Sequence, residues 1–402
     1  MAPALLARVG GHSAKAIITC MLAMPAYLSL GALRLPDDPN LTPLPPRPHS
    51  VKEAVELPPK LTAWVSDHFG FRTSFIEAGN ILRFRLFHEF STVQLAYGQN
   101  GRYFMAAHAK TVGPYQAMTT VCGKGKANDS TIPYLNKLFT AFHAAGMQPK
   151  LLVVPSSPAV YPEDVPSSLV EECTSTDTAA ARVLAAPELL PEARSAILYP
   201  LKEMREIKKT ATLFPKTWFH WGGAGLDQVA RLTVSTFWQM PLDQPPLKLR
   251  TYMDRSDLAH MMIGIDLKSE MTDPDHGASG IQACFGGDCF PEIASVSRIL
   301  GDVSRFRNPH APKRRLLIVS DSFGAKMAQW LSRYYGEVEH FCSSHTFELS
   351  PQQVDEMKAY IYRQPADTDI LFLYHDGGAM YDVLRNGTQM ILPAPLAPTP
   401  TP

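Results

Sequence analysis

The chain has 402 residues, of which 45% are hydrophobic and 19% are charged, and its 38 basic residues balance 38 acidic ones. This balance excludes the basic surface of a typical nucleic-acid-binding protein, and the hydrophobic content excludes a chain that is disordered throughout. The composition indicates a large globular protein, most simply one α/β domain with appendages.

The N-terminus has the pattern of an export signal. Arg8 and Lys15 precede an uncharged, largely apolar run at 16–33, and charge returns at Arg34. The run lies near the lower limit for spanning a bilayer and exceeds a typical signal-peptide core, so residues 1–33 are either a signal anchor or a cleaved signal peptide. Both alternatives place the folded part in the periplasm, and an anchor would hold it at the inner membrane.

Two proline-rich segments frame the predicted folded part. Residues 34–60 predict an extended linker, and residues 391–402 predict a disordered tail. We therefore expect the folded domain at 61–390. Within it, residues 241–300 contain proline and glycine without clear periodicity, and they predict an irregular insertion over the edge of a sheet.

The cysteines beyond the export signal are candidates for disulfides, because an oxidising compartment permits them. They are Cys122, Cys173, Cys284, Cys289 and Cys342. Cys284 and Cys289 flank a Gly-Gly turn and could close a small loop, and Cys122 with Cys173 is a candidate second bridge. A zinc site at Cys284 and Cys289 is the less favoured alternative, because no second ligand pair lies nearby, so we expect no metal.

Strand-like and helix-like segments alternate from residue 132 onward. The predicted strands are 150–154, 196–199, 316–319, 337–341 and 369–374. This alternation predicts a parallel sheet covered by helices, with ligands at the carboxyl ends of the strands.

Ser322 is the strongest candidate for a functional residue. The apolar run 316–319 stops at Ser320-Asp321-Ser322, and the residues that follow have a helical pattern. A strand-to-helix turn can hold a hydroxyl at the edge of a sheet, where backbone N–H groups receive a developing oxyanion. Ser322 is therefore a candidate nucleophile, and a simple helix cap is the alternative.

His220 is the candidate partner of Ser322. It lies in Trp218-Phe219-His220-Trp221, a loop that follows a possible helix at 202–210 and opens another helical pattern at about residue 224. A serine and an imidazole brought to one sheet edge could act as nucleophile and general base. The alternative for His220 is a packed, hydrogen-bonded histidine between two aromatic residues.

Six short motifs occur in an order that resembles one known family. They are Asp67-His68-Phe69-Gly70-Phe71-Arg72, the segment 97–104, Val153-Val154-Pro155 with Val160-Tyr161-Pro162, His220-Trp221 with Gly223-Ala224, the segment 256–261, and Ser320-Asp321-Ser322-Phe323. Through them the chain from about residue 60 to about residue 385 resembles the periplasmic SGNH-hydrolase-like proteins of the alginate O-acetyltransferase family.

The resemblance implies a circularly rearranged SGNH-like fold, in which the histidine motif precedes the serine motif. It implies O-acetylation of an exported polysaccharide, alginate-like or another exopolysaccharide, with Ser322 as nucleophile and His220 as base. The backbone N–H groups of Ser322 and Gly324 would stabilise the oxyanion. In the family a membrane-bound O-acyltransferase delivers the acetyl group. The resemblance therefore implies that such an acyltransferase and other exopolysaccharide secretion proteins are partners of the chain, and that the chain needs no soluble cofactor.

Trp218 departs from the family motif Asp-x-His-Trp. The aspartate of that motif orients the imidazole, whereas an indole only donates a hydrogen bond and carries no charge. Either another carboxylate replaces it, or a backbone carbonyl orients His220, or the protein has lost most of its turnover. Asp257, Asp321 and Asp376 are the candidate carboxylates; Asp321 adjoins Ser322 and more simply braces its turn, and Asp376 follows the last strand.

Aromatic residues near the predicted site are candidates for stacking on sugar rings. Trp221, Phe323 and Tyr161 are the principal ones, and core packing is the alternative for each. The family resemblance thus implies a polysaccharide O-acetyltransferase. The alternatives are a catalytically weakened relative that binds the glycan or serves as a scaffold in the secretion machinery, a carbohydrate acetylesterase, and a plain interaction protein.

Overall fold

The computed structural model describes residues 42–67 and 72–393, together with the single positions Lys15 and Thr19. The predicted export signal at 1–33 and residues 394–402 of the predicted tail lie outside the described residues. Among the residues that are described, no helix combines the length and the apolar character needed to cross a membrane.

The chain divides into two units. The described part of the smaller unit contains the helices Val51–Asp67 and Arg72–Phe87, together with the short segment Ile263–Ile265. Within this unit, Asn80 Nδ2 donates a hydrogen bond to the Ile263 carbonyl at 2.9 Å. The larger unit contains His88–Met262 and the chain from Asp266 onward, and it holds the sheet.

The helix Val51–Asp67 includes residues 51–60, which were predicted to be extended. Ser50 stands directly before the helix, and its Oγ accepts a hydrogen bond from the Glu53 amide at 3.2 Å. Glu53 in turn accepts one from the His49 amide at 2.7 Å. These contacts satisfy amides that a helix start leaves unpaired, so the linker prediction was wrong for this part of 34–60.

Eleven strands are described. They are β1 (Leu95–Tyr97), β2 (Tyr103–Met105), β3 (Lys150–Val154), β4 (Ile197–Leu198), β5 (Leu249–Arg255), β6 (Lys268–Pro274), β7 (Gln282–Phe285), β8 (Val303–Arg307), β9 (Arg315–Ser320), β10 (Glu337–Cys342) and β11 (Asp369–His375). β1 pairs with β2 and β5 with β6 in two small antiparallel sheets. The other seven strands form the central sheet, in the order β4-β3-β11-β9-β10-β8-β7.

The central sheet is mostly parallel, which confirms the predicted α/β class. The five strands from β4 to β10 are parallel, while β8 runs antiparallel to both β10 and β7. In this register Ser320 lies beside Leu373 on one side and Cys342 on the other, and His375 lies beside Val154. The carboxyl ends of β3, β11, β9 and β10 therefore meet at one edge.

Alternate residues of β9 enter two separate hydrophobic cores, because successive side chains of a strand point to opposite faces. Leu317 and Val319 belong to one core, and Leu316 and Ile318 to the other. The helices of the first core are Thr131–Ala144, Ala179–Ala185, Pro191–Ser195, Ala294–Leu300, Pro351–Tyr362, Asp376–Ala379 and Asp382–Thr388. Those of the second are Ser157–Val160, Leu201–Ile207, Gly225–Trp238 and Gly324–Leu331. The helices Gln116–Val121 and Val170–Thr174 belong to a third, smaller core.

Residues 241–300 contain regular secondary structure, so the prediction that this segment is irregular was wrong. They contain the β5–β6 hairpin, the strand β7 at the end of the sheet and the helix Ala294–Leu300. The side chains of β5 are exposed or half-buried along its whole length. Such a strand has no alternation of apolar and polar residues, so the sequence pattern predicted no strand there.

Both predicted disulfides are present. Cys122 is bonded to Cys173 and Cys284 to Cys289, while Cys342 is a buried free cysteine. Among the described residues no group of three or more His, Cys, Asp or Glu side chains could hold a metal ion.

Candidate active site

Ser322 lies in the turn between β9 and the helix Gly324–Leu331. Its Oγ lies 2.8 Å from Nε2 of His220, and both side chains are half-buried. Phe323 is the residue at the helix start, where no side-chain cap is formed. The Ser322 hydroxyl is thus bonded to the imidazole and does not serve as a cap.

The imidazole of His220 is held from behind by Asp257. His220 Nδ1 lies 2.7 Å from Asp257 Oδ2, and the backbone amides of Phe219 and His220 donate to the two carboxylate oxygens at 2.9 Å each. Because Nδ1–H donates to the carboxylate, Nε2 is left with a lone pair toward the Ser322 hydroxyl. Asp257 therefore stands in the orienting role for which Trp218 has no suitable group.

The turn after β5 places Asp257 at the histidine loop. Ser256, its neighbour, donates from Oγ to the carbonyl of Thr217, and the Ser256 amide donates to the Leu267 carbonyl at 2.8 Å. Thr217 Oγ1 also lies 2.9 Å from Ser269 Oγ on β6. These bonds tie both strands of the hairpin to the segment that carries His220.

Asp321 braces the turn, as its position suggested. Its Oδ1 accepts from the Phe323 amide at 3.0 Å, and its Oδ2 accepts from the amide and Nδ1 of His375 at 2.8 and 2.7 Å. With both oxygens engaged in this way, Asp321 makes no hydrogen bond to His220. His375 is a site residue whose role the sequence did not reveal, although its place at the end of a predicted strand beside β9 was a usable signal.

A close approach beneath the turn requires glycine at position 324. A Cβ there would lie 1.9 Å from Ser320 Oγ and 2.9 Å from His340 Nε2. Ser320 Oγ and His340 Nε2 are themselves 2.8 Å apart in a hydrogen bond between fully buried side chains. The residues beneath the turn that carries Ser322 are therefore closely packed.

Asp376 makes hydrogen bonds to other groups and none to His220, so the structure does not support it as the orienting acid. It is 3% exposed and accepts hydrogen bonds from the amide and hydroxyl of Ser156, the Tyr199 hydroxyl and the Gly377 amide. Burial raises the pKa of the Asp376 carboxyl. Its partners Ser156, Tyr199 and Gly377 follow the carboxyl ends of β3, β4 and β11, so Asp376 joins the ends of these three neighbouring strands.

One of the two predicted oxyanion donors is already used. The Gly324 amide donates to the Asp321 carbonyl at 3.1 Å as part of the turn. The Ser322 amide makes no hydrogen bond among the described residues, which leaves it able to donate to an oxyanion. The prediction for Gly324 was wrong because the turn that presents Ser322 consumes that N–H group.

The three predicted sugar-stacking aromatics are buried. Trp221 and Phe323 are 0% exposed, and the Trp221 Nε1 donates to the Phe323 carbonyl at 2.8 Å. Tyr161 is 7% exposed, and its ring is covered by the Arg102 guanidinium at 3.7 Å. Rings covered in this way cannot stack on a sugar, so these residues support the site from within the core.

The comparisons with known proteins found likenesses in structure alone. No family model and no curated protein sequence matches the chain. A DHHW family protein from Eubacterium siraeum is 14% identical with a TM-score of 0.48, covering 67% of this chain and 91% of its own. Bacillus cereus PatB1 is 13% identical with a TM-score of 0.45, covering 71% and 97%. The O-acetyltransferase domain of Pseudomonas putida AlgJ is 13% identical with a TM-score of 0.41, covering 71% and 92%.

Proposed function

We propose that the protein is an O-acetyltransferase that moves an acetyl group through an acyl-Ser322 intermediate onto a hydroxyl of an exported polysaccharide. The observation that carries this proposal is the continuous relay from the Asp257 carboxylate through the His220 imidazole to the Ser322 hydroxyl, with contacts of 2.7 and 2.8 Å. A serine in such a relay is an activated nucleophile for acyl transfer.

In the first half-reaction Ser322 is acetylated. His220 Nε2 takes the hydroxyl proton as Ser322 Oγ attacks the carbonyl carbon of the acetyl donor, and the Ser322 N–H donates to the oxyanion of the tetrahedral intermediate. The intermediate collapses with cleavage of the bond to the donor's leaving group, which receives the proton from His220. Asp257 stabilises the imidazolium that exists in between.

In the second half-reaction the acetyl group moves to the sugar. A polysaccharide hydroxyl gives its proton to His220 Nε2 and attacks the carbonyl carbon of acetyl-Ser322. When the intermediate collapses, Ser322 Oγ leaves and regains the proton from His220. The same imidazole thus acts as base and then as acid in each half.

The wider setting of this reaction rests on the motif resemblance. We infer that a membrane-bound O-acyltransferase supplies the acetyl group, that other exopolysaccharide secretion proteins are partners, and that the substrate is alginate-like or another exopolysaccharide. We also infer from the resemblance that the fold is a circularly rearranged SGNH-like fold, in which the histidine motif precedes the serine motif along the chain. The two disulfides support a location outside the cytoplasm, where such bonds persist.

Asp257 bears on the alternative of a catalytically weakened relative. That alternative rested on the missing motif aspartate, and the contact of Asp257 with His220 supplies a carboxylate by another route. A carbohydrate acetylesterase is the second candidate, because the His220 side chain is 29% exposed and water could serve as acceptor.

A single assay separates these functions. The purified protein is incubated with a chromogenic acetyl ester, with and without an oligosaccharide acceptor, and the products are identified by mass spectrometry. Acetylated sugar supports the transferase, acetate alone supports the esterase, and glycan binding without turnover supports a scaffold. Ser322→Ala should abolish turnover, whereas Ser195→Ala, at an exposed position on the helix before β4, should leave it unchanged.

A further inference from the structure

His375 is the last residue of β11 and lies beside the turn that carries Ser322, but it takes no part in the proton transfers. Its side chain is 14% exposed, and its Nδ1 and its backbone amide both donate to Asp321 Oδ2, at 2.7 and 2.8 Å. A carboxylate oxygen only accepts hydrogen bonds, so Nδ1 carries the proton. His375 and Asp321 thus form a second pair of histidine and carboxylate next to the catalytic relay.

The other oxygen of Asp321 fixes the backbone around Ser322. Asp321 Oδ1 accepts from the amide of Phe323, two residues further along the chain, at 3.0 Å. An aspartate that bonds the amide two residues on closes a tight turn and sets the backbone conformation of the residue between them. That residue is Ser322, so the position of the Asp321 carboxylate determines where the Ser322 hydroxyl and amide point.

The ring of Phe323 lies against the same histidine. The rings of Phe323 and His375 are stacked, with centroids 4.9 Å apart and an angle of 15° between their planes. Phe323 is fully buried, and its ring centroid also lies 5.2 Å from that of His220. His375 therefore contacts both residues that flank Ser322, Asp321 through hydrogen bonds and Phe323 through its ring.

Two glycines after β11 leave just enough room for the His375 ring. A Cβ on Gly378 would lie 3.1 Å from His375 Nδ1 and 3.1 Å from Asp321 Oδ2. A Cβ on Gly377 would lie 3.1 Å from His375 Nε2. Either Cβ would be closer than ordinary van der Waals contact, so a side chain at these positions would displace the ring or the carboxylate.

We propose that His375 is a positioning residue, which holds Asp321 and Phe323 so that Ser322 faces His220 and the reacting carbonyl. Asp321 is 2% exposed, so loss of the Nδ1–H group would leave a buried carboxylate oxygen short of a donor. Misplacement of a reacting group by about 1 Å can lower a rate about a hundredfold. The proposal rests on the proposed function for the reaction that Ser322 performs.

The test is the rate at which phenylmethylsulfonyl fluoride modifies Ser322 in the full-length protein, followed by mass spectrometry of the peptide. Ser322 Oγ attacks the sulfur, its proton passes to His220 and fluoride leaves, so the reaction needs an activated hydroxyl but no acetyl group or glycan. His375→Ala should lower the maximal rate about a hundredfold and leave the probe's apparent dissociation constant unchanged.

Two amide substitutions separate the hydrogen bond from mere occupation of the site. His375→Asn should restore the rate, because its amide nitrogen takes the place of Nδ1 and can donate to Asp321. His375→Gln should not restore it, because its amide nitrogen takes the place of Nε2. Gly378→Ala keeps every donor but displaces the pair, so it should lower the rate less than His375→Ala does.

The matched control is His276→Ala. His276 is 8% exposed, and its ring centroid lies 4.9 Å from that of Phe306, so it is a comparably buried histidine against a phenylalanine. Its removal should leave the rate of modification unchanged. Thermal melts of all variants establish that they are folded.

Three results would overturn the positioning role. They are an unchanged rate in both His375→Ala and Gly378→Ala, equal rates in His375→Asn and His375→Gln, and no modification of Ser322 in the unsubstituted protein. Acetylation of Ser322 by an acetyl ester is measured separately and tests the proposed function. If Ser322 reacts with the sulfonyl fluoride in the expected pattern but accepts no acetyl group, the result contradicts that function and supports the positioning role.

Discussion

Asp257 lies 2.7 Å from Nδ1 of His220, although it belongs to the turn after β5 and not to the histidine motif. The same carboxylate also accepts the backbone amides of Phe219 and His220. It therefore fixes both the ring and the loop that carries it. The relay to Ser322 is complete even though Trp218 occupies the position of the family's aspartate.

Asp257→Asn should strongly reduce turnover without disturbing the fold. An amide in this position can present its NH₂ group to Nδ1 and favour the wrong imidazole tautomer, which lowers the rate by about 10⁴ in serine proteases. The measurement is kcat for a chromogenic acetyl ester, with KM expected to change little. Asp266→Asn, at an exposed carboxylate, is the matched control and should behave like the unsubstituted protein. Full turnover by Asp257→Asn would remove Asp257 from the mechanism.

Trp218→Asp should not raise the rate at which an ester acetylates Ser322. The orienting position is already occupied by Asp257, so a second carboxylate next to His220 adds repulsion and no new function. Rapid-mixing kinetics of the acylation step would measure this. A large increase in the rate would mean that Asp257 does not orient His220 in solution. The double variant with Asp257→Asn shows whether an aspartate at 218 can take over the role.

The strand-to-helix turn and the histidine motif made Ser322 and His220 predictable from the sequence. Ser322 sits where an apolar strand pattern ends, whereas His220 lies in the loop between the helices Leu201–Ile207 and Gly225–Trp238 and was singled out by its motif. Asp257 could be named only as one of several acids, because the hairpin that delivers it lacks apolar alternation. Asp257 reaches His220 because hydrogen bonds among Thr217, Ser256 and Ser269 hold the hairpin against the histidine loop. These are contacts between distant segments, which no local sequence pattern predicts.

The errors in the sequence interpretation have local physical causes. Aromatic residues near a site can either bind sugars or fill a core, and Trp221, Phe323 and Tyr161 fill the core. The proline content of residues 34–60 led to the prediction of an extended linker, although Ser50 and Glu53 cap a helix there. This cap has a recognisable sequence pattern, a serine followed three residues later by a glutamate. The serine and glutamate three residues apart are therefore a sequence signal for the start of that helix.

The two disulfides should contribute unequally to stability. Cys122 and Cys173 are separated by 51 residues and Cys284 and Cys289 by 5. In the chain-entropy model, loops of these lengths correspond to about 4 and about 2 kcal/mol of unfolding free energy. Urea unfolding of the two double Cys→Ala variants would measure both, each serving as the control for the other. A larger loss from the short loop would contradict this prediction.

His340 should make the protein less stable in acid. Burial lowers the pKa of His340 to about 3, below the ordinary value of 6.5 that applies to the unfolded chain. Between these values the unfolded state binds a proton that the folded state does not, so stability is present above about pH 6.5 and falls by about 1.4 kcal/mol per pH unit as the pH drops toward 3. Below about pH 3, the pKa of His340 in the folded protein, His340 no longer contributes to the dependence of stability on pH.

Urea unfolding at several pH values tests this titration. His340→Gln retains a side chain that can hydrogen-bond Ser320 but does not titrate, so the acid slope should become shallower by one proton. His345→Gln replaces a histidine whose side chain is 53% exposed and should leave the slope unchanged. Equal slopes for His340→Gln and the unsubstituted protein would show that His340 is not buried as a neutral imidazole.

The most direct test of the account is detection of acetyl-Ser322. The protein is mixed with an acetyl ester, quenched in acid and digested, and the peptide containing Ser322 is examined by mass spectrometry. We predict an acetyl group on Ser322 that forms in the unsubstituted protein, is lost in Ser322→Ala and disappears when an oligosaccharide acceptor is added before the quench. Acetylation of another residue, or an acetyl-enzyme signal that survives in Ser322→Ala, would contradict the central claim.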